Sequence, residues 1–308
     1  MNPERDLTLL DVTLRDGGYV NGHSWTTREA EAIVRTVGAA GVPVVEVGYL
    51  REGHEPQRPS AICPPEYLAA LAAVADRPRI AVMVRPGEVP IGRVAELPDH
   101  DVSMARVLVA GGSVERAAPY AEAARAAGLA VAMNLTRVSE RTEEQIATAV
   151  RACAEAGAQV VYLADSNGSL DPEAVTARVG AAVAASPVPI GFHPHDNLGL
   201  AFINAKAAMA AGATAVDASI AGIGKGGGNL RLEVIVAHLI VRHGAALRLD
   251  PIATDQTTLA TRLRMLAEGS TKAVLTGLLD LNLDGAADFS DMLAANGYDA
   301  TILTMSDQ

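Results

Sequence analysis

The sequence predicts an α/β fold, a (β/α)8 TIM barrel with a small C-terminal helical extension, on three observations. Eight short apolar runs recur every 25 to 35 residues, roughly the length of one strand–helix unit. Each run is nearly continuous in apolar residues rather than alternating, as strands covered on both faces are. The polar residues cluster at the C-terminal ends of the runs, where a closed parallel barrel gathers its chemistry at one mouth. A doubly wound open sheet is the competing architecture, and strand count and polar placement favour the barrel.

The runs, in order, are Leu7–Arg15, Val42–Gly48, Ile80–Arg85, Met104–Val109, Ala130–Leu135, Val160–Ala164, Ile190–His195 and Ala215–Ala221. Arg15 and Asp16 end the first, Glu46 lies late in the second and Arg85 ends the third. Asn134 lies late in the fifth, Asp165 and Ser166 end the sixth, His193 and His195 end the seventh, and Asn229 follows the eighth. Helices are expected between them. Thr26–Glu29 and Thr142–Gln145 have the form of capping boxes. Asp171-Pro172 places a capping residue before a first-turn proline, and Gly41, Gly128 and Gly212 follow Ala-rich segments as C-terminal stops. A barrel needs about 250 residues. The chain of 308 therefore divides into a catalytic barrel, 1–248, and a helical extension, 249–308, a candidate lid, oligomer contact or docking surface.

Nearly half the residues are apolar but only 3% are aromatic, so the core is built from Ala, Val, Leu and Ile. The net charge of −11 argues against nucleic acid or an anionic membrane as the main partner. Cys63 and Cys153 form no CxxC pair, which argues against a disulfide framework or thiolate zinc site and fits a reducing compartment. Met1–Asp6 lacks a signal-peptide pattern, and no apolar run approaches the ~20 residues that span a bilayer. A cytoplasmic location is expected.

His193-Pro-His195 puts two imidazoles at i and i+2, on one face of a strand. With Asp16 at an equivalent strand end, the three make a nitrogen–oxygen set suited to Mn2+, Zn2+, Co2+ or Fe2+. Arg15 and Asp16, as neighbours, point to opposite faces of an ideal strand, so a bend is needed if both serve the site. Gly17-Gly18 supplies that freedom. A guanidinium beside a metal can hydrogen-bond a developing enolate oxygen; the plainer alternative for Arg15 is a structural ion pair.

Three linked motifs, Asp11-Val-Thr-Leu-Arg-Asp-Gly17, His193-Pro-His195-Asp-Asn197 and Gly222-Ile-Gly-Lys-Gly-Gly-Gly-Asn229, together resemble the metal-dependent lyase and aldolase superfamily of 3-hydroxy-3-methylglutaryl-CoA lyase, 2-isopropylmalate synthase and 4-hydroxy-2-oxovalerate aldolase. The likeness runs in order over about three-quarters of the chain. It implies a (β/α)8 barrel, a divalent metal (Mn2+ first, with Mg2+, Co2+ or Zn2+ as alternatives) on Asp16, His193 and His195, and Asn229 as a further ligand. It also implies Arg15 as the enolate-stabilising group and a carboxylate near Glu46. Glu46, Arg85, Asn134, Asp165, Ser166 and Lys225 are the candidate substrate-binding residues.

The glycine-rich loop has no cysteine, unlike the acyl-CoA lyases, and the chain has no room for a synthase regulatory domain. Asp165-Ser-Asn-Gly-Ser169 and Asp217–Gly224 look closest to the 4-hydroxy-2-oxoacid aldolases. Those carry a catalytic histidine three residues after the metal-binding aspartate. Here that position is Tyr19, with His23 four further on, and either is a candidate for proton transfer. Gly222, Gly224 and Gly227 match GxGxxG, but after the eighth strand this is no dinucleotide fingerprint. The loop is expected to approach a ligand carboxylate or phosphate, with Lys225 as its cation or as a solvated lysine.

The expected reaction is cleavage or formation of a 4-hydroxy-2-oxo acid through a pyruvate-type enolate and an aldehyde. Claisen condensation of an acyl-CoA with a 2-oxo acid, or a lyase of the HMG-CoA type, is the second reading. A non-catalytic scaffold is the third, opposed by Arg15 beside three metal ligands. The resemblance further implies a 2-oxo acid substrate, a homo-oligomer and an aldehyde dehydrogenase partner.

Overall fold

The computed structural model describes residues 7–252 and residue 280. The strands are β1 (Thr8–Asp11), β2 (Val44–Leu50), β3 (Arg79–Val84), β4 (Val102–Val109), β5 (Ala130–Leu135), β6 (Val160–Asp165), β7 (Ile190–Pro194) and β8 (Ala215–Ala218). They pair in parallel in sequence order, and β8 closes on β1. Helices cover the outside, among them Thr27–Ala39, Val114–Ala126, Glu143–Glu155, Pro172–Ala185 and Leu232–His243. Both capping boxes form, at Thr26 and at Thr142, and Asp171 caps Ala174 N–H. Of the extension expected at 249–308, all but 249–252 and 280 lies outside the described residues. Among the described residues no helix is long and apolar enough to cross a membrane.

The barrel interior is layered. Inward positions alternate along each strand. The lower layer is apolar: Leu10, Val44, Ala81, Met104, Ala132, Tyr162 and Ala215 pack together. Gly191 on the neighbouring strand leaves room for the Tyr162 ring. A Cβ at Gly191 would lie 2.5 Å from the Tyr162 ring. One step up, the interior turns ionic, with Glu46, Arg106 and Asp217 all buried. The active-site mouth sits above this layer.

Two departures from the sequence expectation, in β1 and β2, bear on the site. β1 stops at Asp11 rather than Arg15, because Asp11 Oδ1 and Oδ2 accept from Thr13 N–H and Thr13 Oγ–H and turn the chain. Asp16 N–H then donates to Val12 C=O at 2.8 Å, closing a helical turn. This turn lets Arg15 and Asp16 serve one site. In β2 the register slips between Glu46 and Tyr49, and the bulge re-aims Tyr49 toward the mouth.

Burial pushes the Asp11 carboxyl up to about 7 despite its bonds to Thr13, with Asp217 and Glu46 adding to the rise. A carboxyl raised in the fold holds a proton that the unfolded chain releases from about pH 4 upward. Stability is therefore lost as pH rises from about 4 to 7, by on the order of 4 kcal/mol. Asp11→Asn, whose amide can still meet Thr13, should unfold at higher urea than wild type, with a gap that widens between pH 5 and pH 8. A gap that is constant with pH would show that Asp11 is not the titrating group.

Candidate active site

The metal candidates converge. One ligand atom from each of Asp16, His193 and His195 lies within 4.8 Å of the others, and all three residues are buried. His193 Nδ1 sits 2.9 Å from Asp217 Oδ2, and His195 Nδ1 sits 3.0 Å from Gly228 C=O. A carboxylate and a carbonyl only accept, so each Nδ1 carries the proton and each Nε2 presents a lone pair. Those two Nε2 atoms face each other at 3.3 Å. Two lone pairs at that distance repel unless a cation lies between them, and hydrogen-bonded Nδ1 atoms are the usual support of ligating histidines. Burial lowers the His195 pKa to about 4, outweighing the nearby Asp16, so the ring is neutral at neutral pH.

Burial works against the Asp16 carboxylate. Arg15 and the two histidines outweigh it and hold its pKa well below the usual range. Asn229 Nδ2 donates to Asp16 Oδ2 at 2.9 Å, while buried Asn229 Oδ1 has no hydrogen-bond partner among the described residues. An orphaned carbonyl oxygen beside the carboxylate suits a fourth ligand. The donor set thus fits a divalent ion.

Behind the ligands runs a chain of buried ion pairs. Arg15 Nη1 meets Asp16 Oδ1 at 2.5 Å, and Arg15 Nε meets Glu46 Oε2 at 2.6 Å. The same Glu46 oxygen accepts from Arg106 Nη1 at 2.9 Å, and Arg106 Nη2 reaches Asp217 Oδ2 at 2.6 Å. Asp217 in turn holds His193. The alternating charges join the Arg15 guanidinium to the His193 imidazole through the barrel axis. Arg106 also lies over the Tyr162 ring at 4.4 Å, which seats the ionic layer on the apolar one.

The cavity at the mouth is lined by Arg15, Asp16, Tyr19, Arg85, Asn134, Ser166, His193, His195 and Lys225 from the sequence-derived candidates. It is also lined by Tyr49, Met83, Leu108, Thr136 and Arg137, which the sequence reading missed. Thr136 and Arg137 follow a strand end, so the strand-end rule would have found them. Four candidates do not line it: Asn229, which is buried and bonded to Asp16, and three more. Glu46 is fully buried and consumed by Arg15 and Arg106. Asp165 is fully buried, its oxygens taken by Ser169 and Leu170 N–H. His23 is buried behind the tyrosines, edge-on to Tyr19 at 5.1 Å and to Tyr49 at 5.6 Å. Burial, with Arg51 and Arg58, lowers the His23 pKa to about 4. Tyr19 and Tyr49 hydroxyls meet at 3.0 Å, and burial raises the Tyr49 pKa well above the ordinary phenol.

The glycine-rich loop is fixed by hydrogen bonds within the protein. Lys225 N–H donates to Asp16, Gly227 N–H donates to Asn197, and Gly228 C=O accepts from His195. Gly224 permits the approach, since a Cβ there would lie 2.2 Å from Asn229 Nδ2. At the loop after β6, Asp280 Oδ1 accepts from Asn167 Nδ2 at 2.8 Å and Ser169 Oγ at 2.6 Å. Asp280 thereby touches the loop that carries Ser166.

Fold and site define a (β/α)8 barrel with a buried carboxylate–imidazole centre for a divalent ion at its C-terminal mouth. The HMGL-like family model matches residues 6–263, and the chain belongs to that family. It is 33% identical over 251 residues to an oxaloacetate decarboxylase of Mycobacterium tuberculosis, covering 80% of this chain and 74% of that one. It is 35% identical over 243 residues to a 4-hydroxy-2-oxovalerate aldolase of Geobacillus genomosp. 3, covering 77% and 71%. In fold it is similar to the N-terminal domain of a candidate aldolase from Bacteroides vulgatus, with TM-score 0.83 at 24% identity over 97% of this chain and all of that one.

Proposed function

We propose that the chain is a divalent-metal-dependent aldolase, a carbon–carbon lyase that cleaves or forms a 4-hydroxy-2-oxo acid. The observation that carries this reading is the pair of facing Nε2 atoms beside Asp16, with Arg15 bonded to the same carboxylate. Asp16, His193, His195 and Asn229 would hold the ion, with Mn2+ the preferred choice for this mixed nitrogen–oxygen set. When bound, it supplies Lewis acidity to the 2-oxo carbonyl.

The chain's own groups do the rest. Tyr19, which lines the cavity, takes the proton of the C4 hydroxyl. Tyr49, whose burial disfavours its own ionisation, donates its O–H to the Tyr19 oxygen and so steadies the charge. The C3–C4 electron pair stays on C3, the aldehyde leaves, and Arg15 hydrogen-bonds the enolate oxygen. Tyr19 O–H then returns that proton to C3, which gives pyruvate and restores the base. His23 acts as a positioning residue that packs Tyr19 in place. The similarity to an oxaloacetate decarboxylase adds a second substrate to try, since loss of CO2 from oxaloacetate leaves the same enolate. The resemblance also supports a homo-oligomer and an aldehyde dehydrogenase partner, and two buried, unbonded cysteines fit the cytoplasm. The barrel ends at about residue 248 in this reading, and Asp280 bonds to Asn167 in the loop after β6.

The test is pyruvate release from a panel of 4-hydroxy-2-oxo acids, with Mn2+ and with chelator. Release that depends on the ion supports the reading, and silence across the panel refutes it. Tyr19→Phe should lower kcat by roughly 100- to 10,000-fold, and His23→Gln by much less. The reverse order would move proton transfer to His23.

A further inference from the structure

The charges of the cavity are distributed unevenly. Among the residues that line it, Arg15, Arg85, Arg137 and Lys225 are basic and Asp16 alone is acidic. Arg15 and Asp16 neutralise one another. Arg85 shares one carboxylate with Arg51: Glu88 accepts from Arg85 Nη1 at 2.9 Å and from Arg51 Nε at 2.6 Å. Arg137 has Glu140 at 4.0 Å, at the edge of pairing. Arg141 is close enough for the positive charge of Arg137 to disfavour its own. Both acids are 39–40% exposed, so water screens them, while the two arginines line the cavity.

The barrel's topology gives this excess a direction. Asp16, His193, His195 and Asn229 follow or end β1, β7 and β8, which are neighbours in the closed sheet. Arg85 and Arg137 follow β3 and β5, the two strands flanking β4, on the facing arc of the ring. Strand ends two apart are separated by roughly 9–10 Å, a gap that two long side chains bridge onto one carboxylate. Tyr19 and Tyr49 line the same cavity from β2 and the loop after β1. A substrate chelated at one arc places its reacting carbon in the cavity and its far end toward the other.

We infer that Arg85 and Arg137 form a distal anion subsite, so that the preferred substrate is a 2-oxo acid bearing a second carboxylate at its far end. This rests on the aldolase reading for the reaction but not for the binding. An uncharged tail would leave the two guanidinium groups with water-screened carboxylates alone, whereas a carboxylate between them accepts charge-assisted hydrogen bonds from both.

Two matched pairs of compounds test it. The first pair, 2-oxoglutarate and 2-oxovalerate, have the same chain length, lack the C4 hydroxyl and cannot be cleaved. Calorimetry on the Mn2+-loaded protein should give 2-oxoglutarate a Kd tighter by roughly 10- to 100-fold. Arg85→Gln and Arg137→Gln should each remove most of that difference. The second pair, 4-hydroxy-2-oxoglutarate and 4-hydroxy-2-oxovalerate, should differ in kcat/KM in the same sense, mainly through KM. Equal affinity for the first pair overturns the inference, as does a preference that survives both substitutions. If no compound releases pyruvate but 2-oxoglutarate still binds more tightly, the aldolase reading falls and the anion subsite stands.

Discussion

Arg15→Ala is expected to lower turnover by about two to three orders of magnitude while the protein continues to bind a divalent ion, as when a single oxyanion donor is lost. The guanidinium is fixed by Asp16 at 2.5 Å and Glu46 at 2.6 Å, so it is oriented before substrate arrives. Such preorganised donors act on the transition state more than on binding, so kcat should fall further than KM rises. The ligand nitrogens take their orientation from Asp217 and Gly228, not from Arg15, and Mn2+ stoichiometry should hold near wild type. Wild-type turnover in Arg15→Ala would remove Arg15 from the chemistry. Loss of the ion together with activity would make it a support for Asp16 instead.

Arg106→Met should have the larger effect on the protein itself. Arg106 is fully buried and bridges Glu46 to Asp217. Burial disfavours its charge, but the two carboxylates outweigh that and raise its pKa. Removing the cation leaves two buried carboxylates without their shared partner, a change that costs about 3–5 kcal/mol. Asp217 is held below the usual carboxylate range, against its burial, by Arg106 first and then His193. Without Arg106 its grip on His193 Nδ1 weakens, and Mn2+ affinity should drop roughly 10- to 100-fold. Urea midpoints and Mn2+ titrations measure the two effects. Should Arg106→Met fail to fold, Asp217→Asn, which leaves Arg106 paired with Glu46, reports the metal effect. Wild-type Mn2+ affinity in Asp217→Asn would disconnect the ionic chain from the metal centre.

The HxH pair was legible because strand periodicity is local: His193 and His195 share a face wherever the strand goes. Asp16 was legible for a weaker reason, its place at the end of an apolar run. Glu46 and Asp165 were read from position as substrate groups, and their burial sends them elsewhere. A strand-end rule gives the face of a side chain but not its depth. Arg106 and Asp217 left a signal that could have been read. Each is a single charge inside an apolar strand, in Met104–Val109 and Ala215–Ala218, and a charge buried on both sides needs a counter-charge. Tyr49 left none, because its inward aim comes from the register slip in β2, and a bulge reverses the alternation on which every such reading depends.

By itself, the sequence determined the order of strands and helices, the caps that bound the helices and the three side chains able to share an ion. These follow from periodicity and short-range hydrogen bonding, which act over a few residues. Only the tertiary structure decided which charges pair across the barrel, that Tyr19 rather than His23 faces the cavity, and that basic groups gather on the arc opposite the metal ligands. Those outcomes depend on ring closure, which brings β1 beside β8 and sets β3 and β5 across from both, a relation between residues distant in the chain that no local pattern encodes.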